Sequence, residues 1–536
     1  MAVATLTGSA RRIVSDEDRY KNRYIIAAAV SLAAMLQVVD SSIVNVAIPS
    51  MMGSLGVSID EISLVSTSYI IASVIVIPMT GWLASVFGRK RYFASSILLF
   101  TAASFLCGTA HSLEALVAWR IVQGIGGGAL MATSQAILYE SFPAEETGTA
   151  MAFFGLGIMV GPTLGPTLGG WITDNYNWPW IFFVNVPLGI LATIMIVAYV
   201  HDYEEHGQSR KIDVAGILLL ILSVGALQYV LERGESRDWF DSRLIVTLAA
   251  VGAVGTVLLV WREFTARAPV IDFRVMKNAQ FSVGTFLGII LGAGLMGSVF
   301  VLPVFLQEVL RMTALQTGLI ILPGALATAV GMMLVGRLSR EMDNRLLVIV
   351  GALLFGLSMW QLSKMTPENG AGDFFWPLIF RGFGLGLVFV PMTNLTLFSV
   401  EKRQLGQATG LYNFFRQMGG SFSIAVMASL IVRFTAQKKA VLASHLSMYS
   451  PATRARLDAL TSAMHAHGVD PATAHQQAMS ILDRILTGQA SSLAFSQIYL
   501  ISGAILVGTL PLLLLFKTGR PGKSGERSER RADRAD

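Results

Sequence analysis

Two stretches decide the fold: LQVVDSSIVNVAIP at residues 36–49 and LVAWRIVQGIGGG at residues 116–128. Each lies inside a longer apolar run, and each carries one charge near its middle, Asp40 in the first and Arg120 in the second. About 20 mostly apolar residues suffice to cross a bilayer as a helix. Working outward from these two, the sequence reads as fourteen such spans: 24–48, 61–86, 92–110, 114–138, 147–173, 178–200, 213–232, 244–261, 279–307, 315–336, 346–363, 374–398, 405–432 and 491–516. Of 536 residues, 53% are hydrophobic and 14% charged, with 51 Gly, 23 Met and 29 Phe. That composition excludes a soluble enzyme, a disordered chain and a disulfide scaffold. The single cysteine, Cys107, has no partner for an intrachain bridge and is too few for a thiolate zinc site.

The formal charge of +6 raises nucleic acid as a partner, but the basic residues sit in short gaps between apolar runs, so that reading is dropped. With the N-terminus placed in the cytoplasm, 26 Lys and Arg fall in inside segments and 5 in short outside loops. This asymmetry predicts an even number of spans and two cytoplasmic tails, 1–23 and 517–536. Arg233, Arg237 and Arg243, after the seventh span, are a local exception. The first span follows a long polar stretch and lacks a cleavage pattern, so no cleaved signal peptide is expected. The segment 433–490 is expected to face outward as two or three amphipathic helices. Ser450-Pro451 and Asp470-Pro471 mark helix starts, Gly468 a break, and Leu457, Leu460 and Met464 one apolar stripe. Ile481, Leu482, Ile485 and Leu486 form a second.

A charge inside a span costs roughly 2.5–3.5 kcal/mol on insertion scales, so it marks a functional candidate. Asp40 lies about 6 Å and Arg120 about 9 Å to the outer side of their span centres at 1.5 Å rise per residue. The two charges therefore share a depth. Gln37, Asp40, Ser41 and Asn45 fall within about 140° of arc on span one, and Arg120, Gln123, Gly127 and Ser134 share a face of span four. Two polar faces at one depth predict a water-accessible pathway in which movement of Arg120 switches the proton on Asp40. The alternative is a static ion pair that pins two helices, although buried pairs stabilise poorly. On span five, Gly157, Gly161, Gly165 and Gly169 recur every four residues, interrupted by Pro162 and Pro166. That stripe is either plain tight packing or a sliding and sealing interface between two halves. No phosphate-binding G-x-x-x-x-G-K-[ST] loop is present, which disfavours drive by ATP, and GIGGG at 124–128 follows no strand. Four histidines in 433–490 (His445, His465, His467, His475) read as solvated helix faces rather than a metal site. The sequon Asn394-Leu395-Thr396 lies within a span.

These residues resemble the major facilitator superfamily, in its fourteen-helix drug:proton antiporter branch of EmrB/QacA type. LQVVDSSIVNVAIP is similar to that branch's first-helix motif, with Ser42 where it has Thr, and LVAWRIVQGIGGG matches the fourth-helix pattern L-x-x-x-R-x-x-Q-G-x-G. GIMVGPTLGPTLGG (157–170), ending in Gly169-Gly170, resembles the antiporter motif of helix five. WPWIFFVNVPLG (178–189) and LERGESRDWF (231–240) resemble two further signatures, the former with Pro179 in place of Arg. The resemblance implies an all-α membrane protein with a six-helix bundle at 24–200, two inserted helices within 201–278 and a second six-helix bundle at 279–516. It implies a substrate cavity lined by spans one, four, nine and twelve, which brings in Gln37, Ser41, Asn45, Gln123, Gly127, Ser134 and Arg381. Span twelve also carries Phe374, Phe375, Trp376, Phe380, Phe383 and Phe389, mostly expected to pack or face lipid. The family's inner-gate loop maps onto Gly81, Gly88, Arg89 and Lys90, but Ser85 and Val86 stand where it has an acid and a base. Closure of that gate must therefore use other contacts.

The implied activity is export of hydrophobic or amphipathic drugs across a bacterial inner membrane in exchange for protons, driven by the proton-motive force without cofactor, metal or enzymatic chemistry. Expected partners are a periplasmic membrane-fusion adaptor of EmrA type and an outer-membrane channel of TolC type. Export of an endogenous metabolite, such as a fatty acid or siderophore, and a membrane sensor built on a transporter fold are the alternatives.

Overall fold

Within a bilayer, backbone N–H and C=O groups have no water to bond, so each apolar run must satisfy its own as a helix. The computed structural model describes residues 22–143, 146–200, 213–266, 269–401, 404–446, 449–466 and 469–515, and every regular element among them is helical. In chain order these are α1 (Arg23–Leu55), α2 (Ile59–Phe87), α3 (Arg89–Gly108), α4 (Leu113–Ser141), α5 (Thr147–Asn175), α6 (Trp180–Tyr199), α7 (Val214–Arg233) and α8 (Arg243–Thr265). Then follow α9 (Ala279–Val309), α10 (Ala314–Glu341), α11 (Asn344–Leu362), α12 (Phe375–Leu397), α13 (Leu405–Ser444), α14 (Pro451–Ala466) and α15 (Pro471–Gly508).

Local chemistry sets the helix ends. Gly56, at φ +67°, closes α1 through its N–H to Met52 O at 2.9 Å. Thr313 and Gln316 form a capping box at the start of α10, and Asn278 Oδ1 accepts from Gln280 N and Phe281 N at the start of α9. Asp213 caps α7 by accepting from Gly216 N at 3.1 Å, and Arg262 of α8 holds the same carboxylate through Nε at 3.1 Å and Nη2 at 3.0 Å. Those arginine bonds, foremost, hold the Asp213 carboxyl below its ordinary value.

Thirteen of the described helices are long and apolar enough to cross a membrane. The helix expected at 147–173 forms as the continuous α5 (Thr147–Asn175). Residues 1–21 of the predicted tail 1–23, all of the predicted tail 517–536 and residues 201–212 lie outside the described residues.

Helices α1–α6 pack on one another, and α9–α13 with α15 form a second group. The groups meet where α5 lies against α10 and where α13 crosses the inner end of α2 and the middle of α4. Helix α7 bridges them, packing on α8, on α2 and on α13. Gln228 donates to Ser421 of α13 at 2.8 Å, and Arg233 donates to the Asp60 carbonyl at the start of α2. Beyond α7, Trp239 Nε1 donates to Ser429 of α13 at 2.8 Å. One of the three basic residues that broke the charge rule, Arg233, is thus 5% exposed and serves as a structural clamp.

The segment 433–490 departs from expectation. Helix α13 runs without a break for 40 residues and α15 for 38, so most of the segment continues two membrane helices rather than forming a separate hairpin. No proline interrupts the chain from Leu405 until Pro451, and nothing else stops α13 earlier. Both proline-marked helix starts are found, at α14 and α15. Leu457 is buried and Leu460 and Met464 are half-buried, while Lys439 and Asp483 join the two extensions at 2.8 Å. Gly468 and His467 lie outside the described residues.

Candidate functional site

Asp40 projects from α1 toward α4 at the depth where α4 carries Arg120, as the span centres predicted. Arg120 Nη1 lies 2.6 Å from Asp40 Oδ2, with the two side chains 1% and 0% exposed. Further donors and acceptors complete the cluster. Gln123 Nε2 donates to Asp40 Oδ1 at 2.8 Å while its Oε1 accepts from Arg120 Nη1 at 2.8 Å. Arg120 Nε donates to the Val65 carbonyl of α2 at 3.0 Å. Asn185 of α6 donates to Asp40 Oδ1 at 2.9 Å and to Ser104 Oγ of α3 at 3.1 Å, and Ser104 donates in turn to the Phe182 carbonyl at 2.9 Å. The Tyr69 ring stacks 4.1 Å from the guanidinium carbon, with Phe182 at 5.7 Å.

Five helices therefore meet at this cluster, α4 and α6 bonding the Asp40 carboxylate of α1 directly and α2 and α3 holding Arg120 and Asn185. Desolvating both charges is unfavourable, and only this number of bonds makes the burial tolerable. One weak point remains: the Tyr69 hydroxyl is buried without a hydrogen-bond partner and faces Gly127. A Cβ at Gly127 would stand 2.7 Å from that oxygen, so the glycine gives the phenol its space.

This closed cluster corrects the expectation of a water-accessible pathway along both polar faces. Asp40, Arg120 and Gln123 do come together, but they are sealed from solvent. Ser134 is fully buried and ties α4 to α1 by donating to the Val30 carbonyl at 3.0 Å. Gln37 and Ser41 are half-buried, the former with Oε1 unpartnered, and only Asn45 is exposed, accepting from Ser66 of α2 at 3.2 Å. The polar stripe of α1 thus leads from an exposed outer end to the sealed pair. Arg381 is elsewhere: it lies inside the second helix group, donating to the Ser298 carbonyl of α9 at 3.1 Å. Of the span-twelve aromatics, Phe374 and Phe389 are buried, whereas Phe375 and Trp376 are exposed. Asn394 of the rejected sequon accepts from Tyr139 of α4 at 2.8 Å, bridging the two groups.

The glycine stripe of α5 packs against α1. A Cβ at Gly157 would stand 2.9 Å from the Ser31 carbonyl oxygen, at Gly161 2.7 Å from Val38 Cγ1, and at Gly169 2.8 Å from Ile43 Cγ1, with Gly165 closed by Ser42. Gly170 is looser, 3.9 Å from Val46. The stripe is an intra-bundle seam, not the interface between halves. The other half is met by a different face, where Gly155 abuts Met332 and Gly148 abuts Gly336 of α10. The side chains of Pro162 and Pro166 lie outside the described residues; the helix through them is continuous.

At the inner end, Gly88 at φ +84° turns the chain from α2 into α3. Arg89, the next residue, pairs with Glu140 at the end of α4. The acid missing at Ser85 thus has a counterpart on a neighbouring helix. Gly81 lets α2 touch the opposite bundle, since a Cβ there would stand 2.6 Å from Gln407 Cα of α13. Gly410 does the same from the other side, 2.8 Å from Thr80 Oγ1. Lys90 is half-buried beside this contact.

Sequence reasoning missed Asn185, Ser104 and Tyr69. Asn185 is a lone amide between apolar residues in FFVNVPLG, which is the signal that could have found it; Ser104 and Tyr69 carry no such mark.

A sequence profile described as Major Facilitator Superfamily matches residues 30–424. The chain is 34% identical over 498 residues to the multidrug export protein EmrB of Haemophilus influenzae, covering 93% of this chain and 96% of that protein. It is 31% identical over 493 residues to the fatty acid resistance protein FarB of Neisseria gonorrhoeae, covering 91% and 95% respectively. In fold it is similar to the proton:xylose symporter XylE, with TM-score 0.57 and 13% identity over 93% of this chain and 99% of that one. Two packed helix groups, the fourth-helix arginine in its buried cluster and the whole-length similarity to these relatives lead to one assignment: the chain belongs to the major facilitator superfamily and is a multi-pass membrane protein.

Proposed function

We propose that this protein exports hydrophobic and amphipathic compounds across the bacterial inner membrane in exchange for protons. The observation that carries the reading is the sealed Asp40–Arg120 pair, with Gln123 and Asn185 around it. Protonating Asp40 removes the charge that holds Arg120 and converts one acceptor oxygen into a donor. Arg120 is then held only by Val65 O and Gln123, and α4 is released to shift against α1. Deprotonation restores the pair. Coupling follows if the carboxylate is open to the outside when it takes the proton and to the inside when it releases it, which alternating rocking of two bundles supplies. The energy source is the proton-motive force, and no cofactor enters the scheme. The similarity to the multidrug export protein supports a broad apolar substrate range.

The test is uptake of a fluorescent amphipathic dye into inverted vesicles under an imposed pH gradient, which also separates transport from a sensing role. Dye movement that ignores the gradient refutes proton exchange. The similarity to the fatty acid resistance protein favours a second reading, export of fatty acids, and the same vesicles loaded with a labelled fatty acid decide it. A periplasmic adaptor and an outer-membrane channel complete the proposed export path. The extensions of α13 and α15, with α14 between them, are the surface offered to the adaptor.

A further inference from the structure

The buried arginines of the two helix groups differ in one respect. Arg120 has its acid; Arg416 of α13 has none, and no carboxylate among the described residues pairs with it. Arg416 is 8% exposed and lies at the seam where α13 meets α4. Its Nη2 donates to Asn413 Oδ1 at 2.6 Å and lies 2.9 Å from Met131 Sδ of α4. Asn413 Nδ2 donates onward to Gln135 Oε1 of α4 at 2.6 Å. The guanidinium stands 4.9 Å from the Phe389 ring and 5.8 Å from the Tyr412 ring. Two donors remain buried and unpartnered, Arg416 Nη1 and Gln135 Nε2. Aromatic faces and one amide oxygen do not replace a counter-charge for a desolvated guanidinium. By contrast Arg381, also without an acid among the described residues, lies within a single helix group, away from the seam that opens in a rocking cycle.

We propose that Arg416, Asn413 and Gln135 form a headgroup site for an anionic amphiphile, a carboxylate or sulfonate joined to an apolar body. The inference rests on the export reading and specifies its substrate. The planar guanidinium fork suits a carboxylate or sulfonate, and Gln135 Nε2 supplies a donor from the opposite helix. Met131, Phe389 and Tyr412 offer the non-directional surface on which an alkyl or aromatic body packs. Because the donors come from α4 and α13, one from each helix group, separating the groups takes the site apart and releases the anion.

The experiment uses the full chain in phosphatidylcholine vesicles, titrated with dansyl-undecanoic acid and with its methyl ester. The parent protein is expected to bind the acid about tenfold or more tighter than the ester, the difference a charge-assisted contact provides. Arg416→Gln is expected to bind the two alike, Arg416→Lys to keep part of the preference, and Gln135→Leu to fall between. A parent protein without the preference, or Arg416→Gln that retains it, overturns the site. Should Arg416→Gln bind neither probe, Arg416→Lys decides: a preference kept supports the site, and one lost overturns it. Displacement of the acid by phosphatidylglycerol vesicles reassigns the pocket to lipid headgroups and overturns the substrate claim. Gradient-driven flux of the fluorescent amphipathic dye is followed in the same vesicles. No flux with the acid preference intact counts against export alone, and the anion site stands.

Discussion

Neutralising both members of the Asp40–Arg120 pair separates its structural role from its coupling role. Asp40 accepts at 2.6 Å from Arg120, 2.8 Å from Gln123 and 2.9 Å from Asn185, with no surface exposed. Asp40→Asn alone leaves the guanidinium without counter-charge and turns an amide NH2 toward donors. Removing one partner of a buried pair costs about 3–5 kcal/mol, or roughly two to four decades in an equilibrium constant at ~1.4 kcal/mol per decade. Arg120→Gln alone strands the carboxylate, with a loss of the same order. In the double variant Asp40→Asn/Arg120→Gln no charge is stranded, and neutral amides rebuild hydrogen bonds with a residual loss of about 1–2 kcal/mol. The single losses therefore do not add, and the double-mutant cycle should show a coupling of about 3 kcal/mol or more. Apparent melting temperatures in detergent, followed by tryptophan fluorescence, report this side of the argument. Dye efflux from proteoliposomes under a pH gradient reports the other. The double variant is expected to recover most of the lost melting temperature and yet show no gradient-driven export. A double variant that exports normally refutes the proton role and leaves the pair a pin between helices; single losses that simply add refute the energetic coupling itself.

Four further outcomes follow from the packing. Gly81→Leu pushes a side chain into the Gln407 backbone of the opposite bundle, so the inner gate should stay open; a Thr409→Cys reporter, buried here, should then label faster with a cytoplasmic thiol reagent, and unchanged labelling would count against the gate. Gly161→Leu overpacks the α1–α5 seam against Val38, with an expected loss of roughly 1–3 kcal/mol; the protein should insert but melt earlier and export less. The Asp213 carboxyl, held low by Arg262, stabilises the α7–α8 pair above the ordinary carboxylate value of about 3.9, and this contribution fades as pH falls through the lower native value. Asp213→Asn should thus melt earlier than the parent at pH 7, with the gap closing as pH drops below about 4; a constant gap would assign the effect to the cap rather than the charge. Replacing residues 445–470 with a Gly/Ser linker removes α14 but keeps both membrane helices. Export in vesicles should survive and whole-cell drug resistance should fall if the region docks an adaptor, whereas survival of both would make it dispensable.

The membrane class, the span positions and the Asp40–Arg120 pairing were legible in the chain because each rests on local quantities. Hydropathy over about 20 residues specifies a span, and a charge in such a run is rare enough to stand out at once. Depth along two antiparallel helices then follows from a fixed rise per residue, which is why the pairing could be anticipated without any contact information. The proline-marked starts of α14 and α15 were readable for a similar reason, since a capping residue followed by proline acts within one turn.

What only the tertiary structure decided is which face meets which neighbour. A four-residue glycine repeat announces a close helix approach but not its partner, and here the partner is α1 of the same group rather than α10 of the other. Two polar faces at equal depth look the same in sequence whether water enters between them or Gln123 and Asn185 close over the charge. Arg89 finds Glu140, and Arg416 finds no acid among the described residues, through the relative placement of helices that lie far apart in the chain. Hydropathy and periodicity are properties of one helix at a time. The rotation and neighbours of each helix come from many side-chain contacts acting together, and these belong to the assembled bundle.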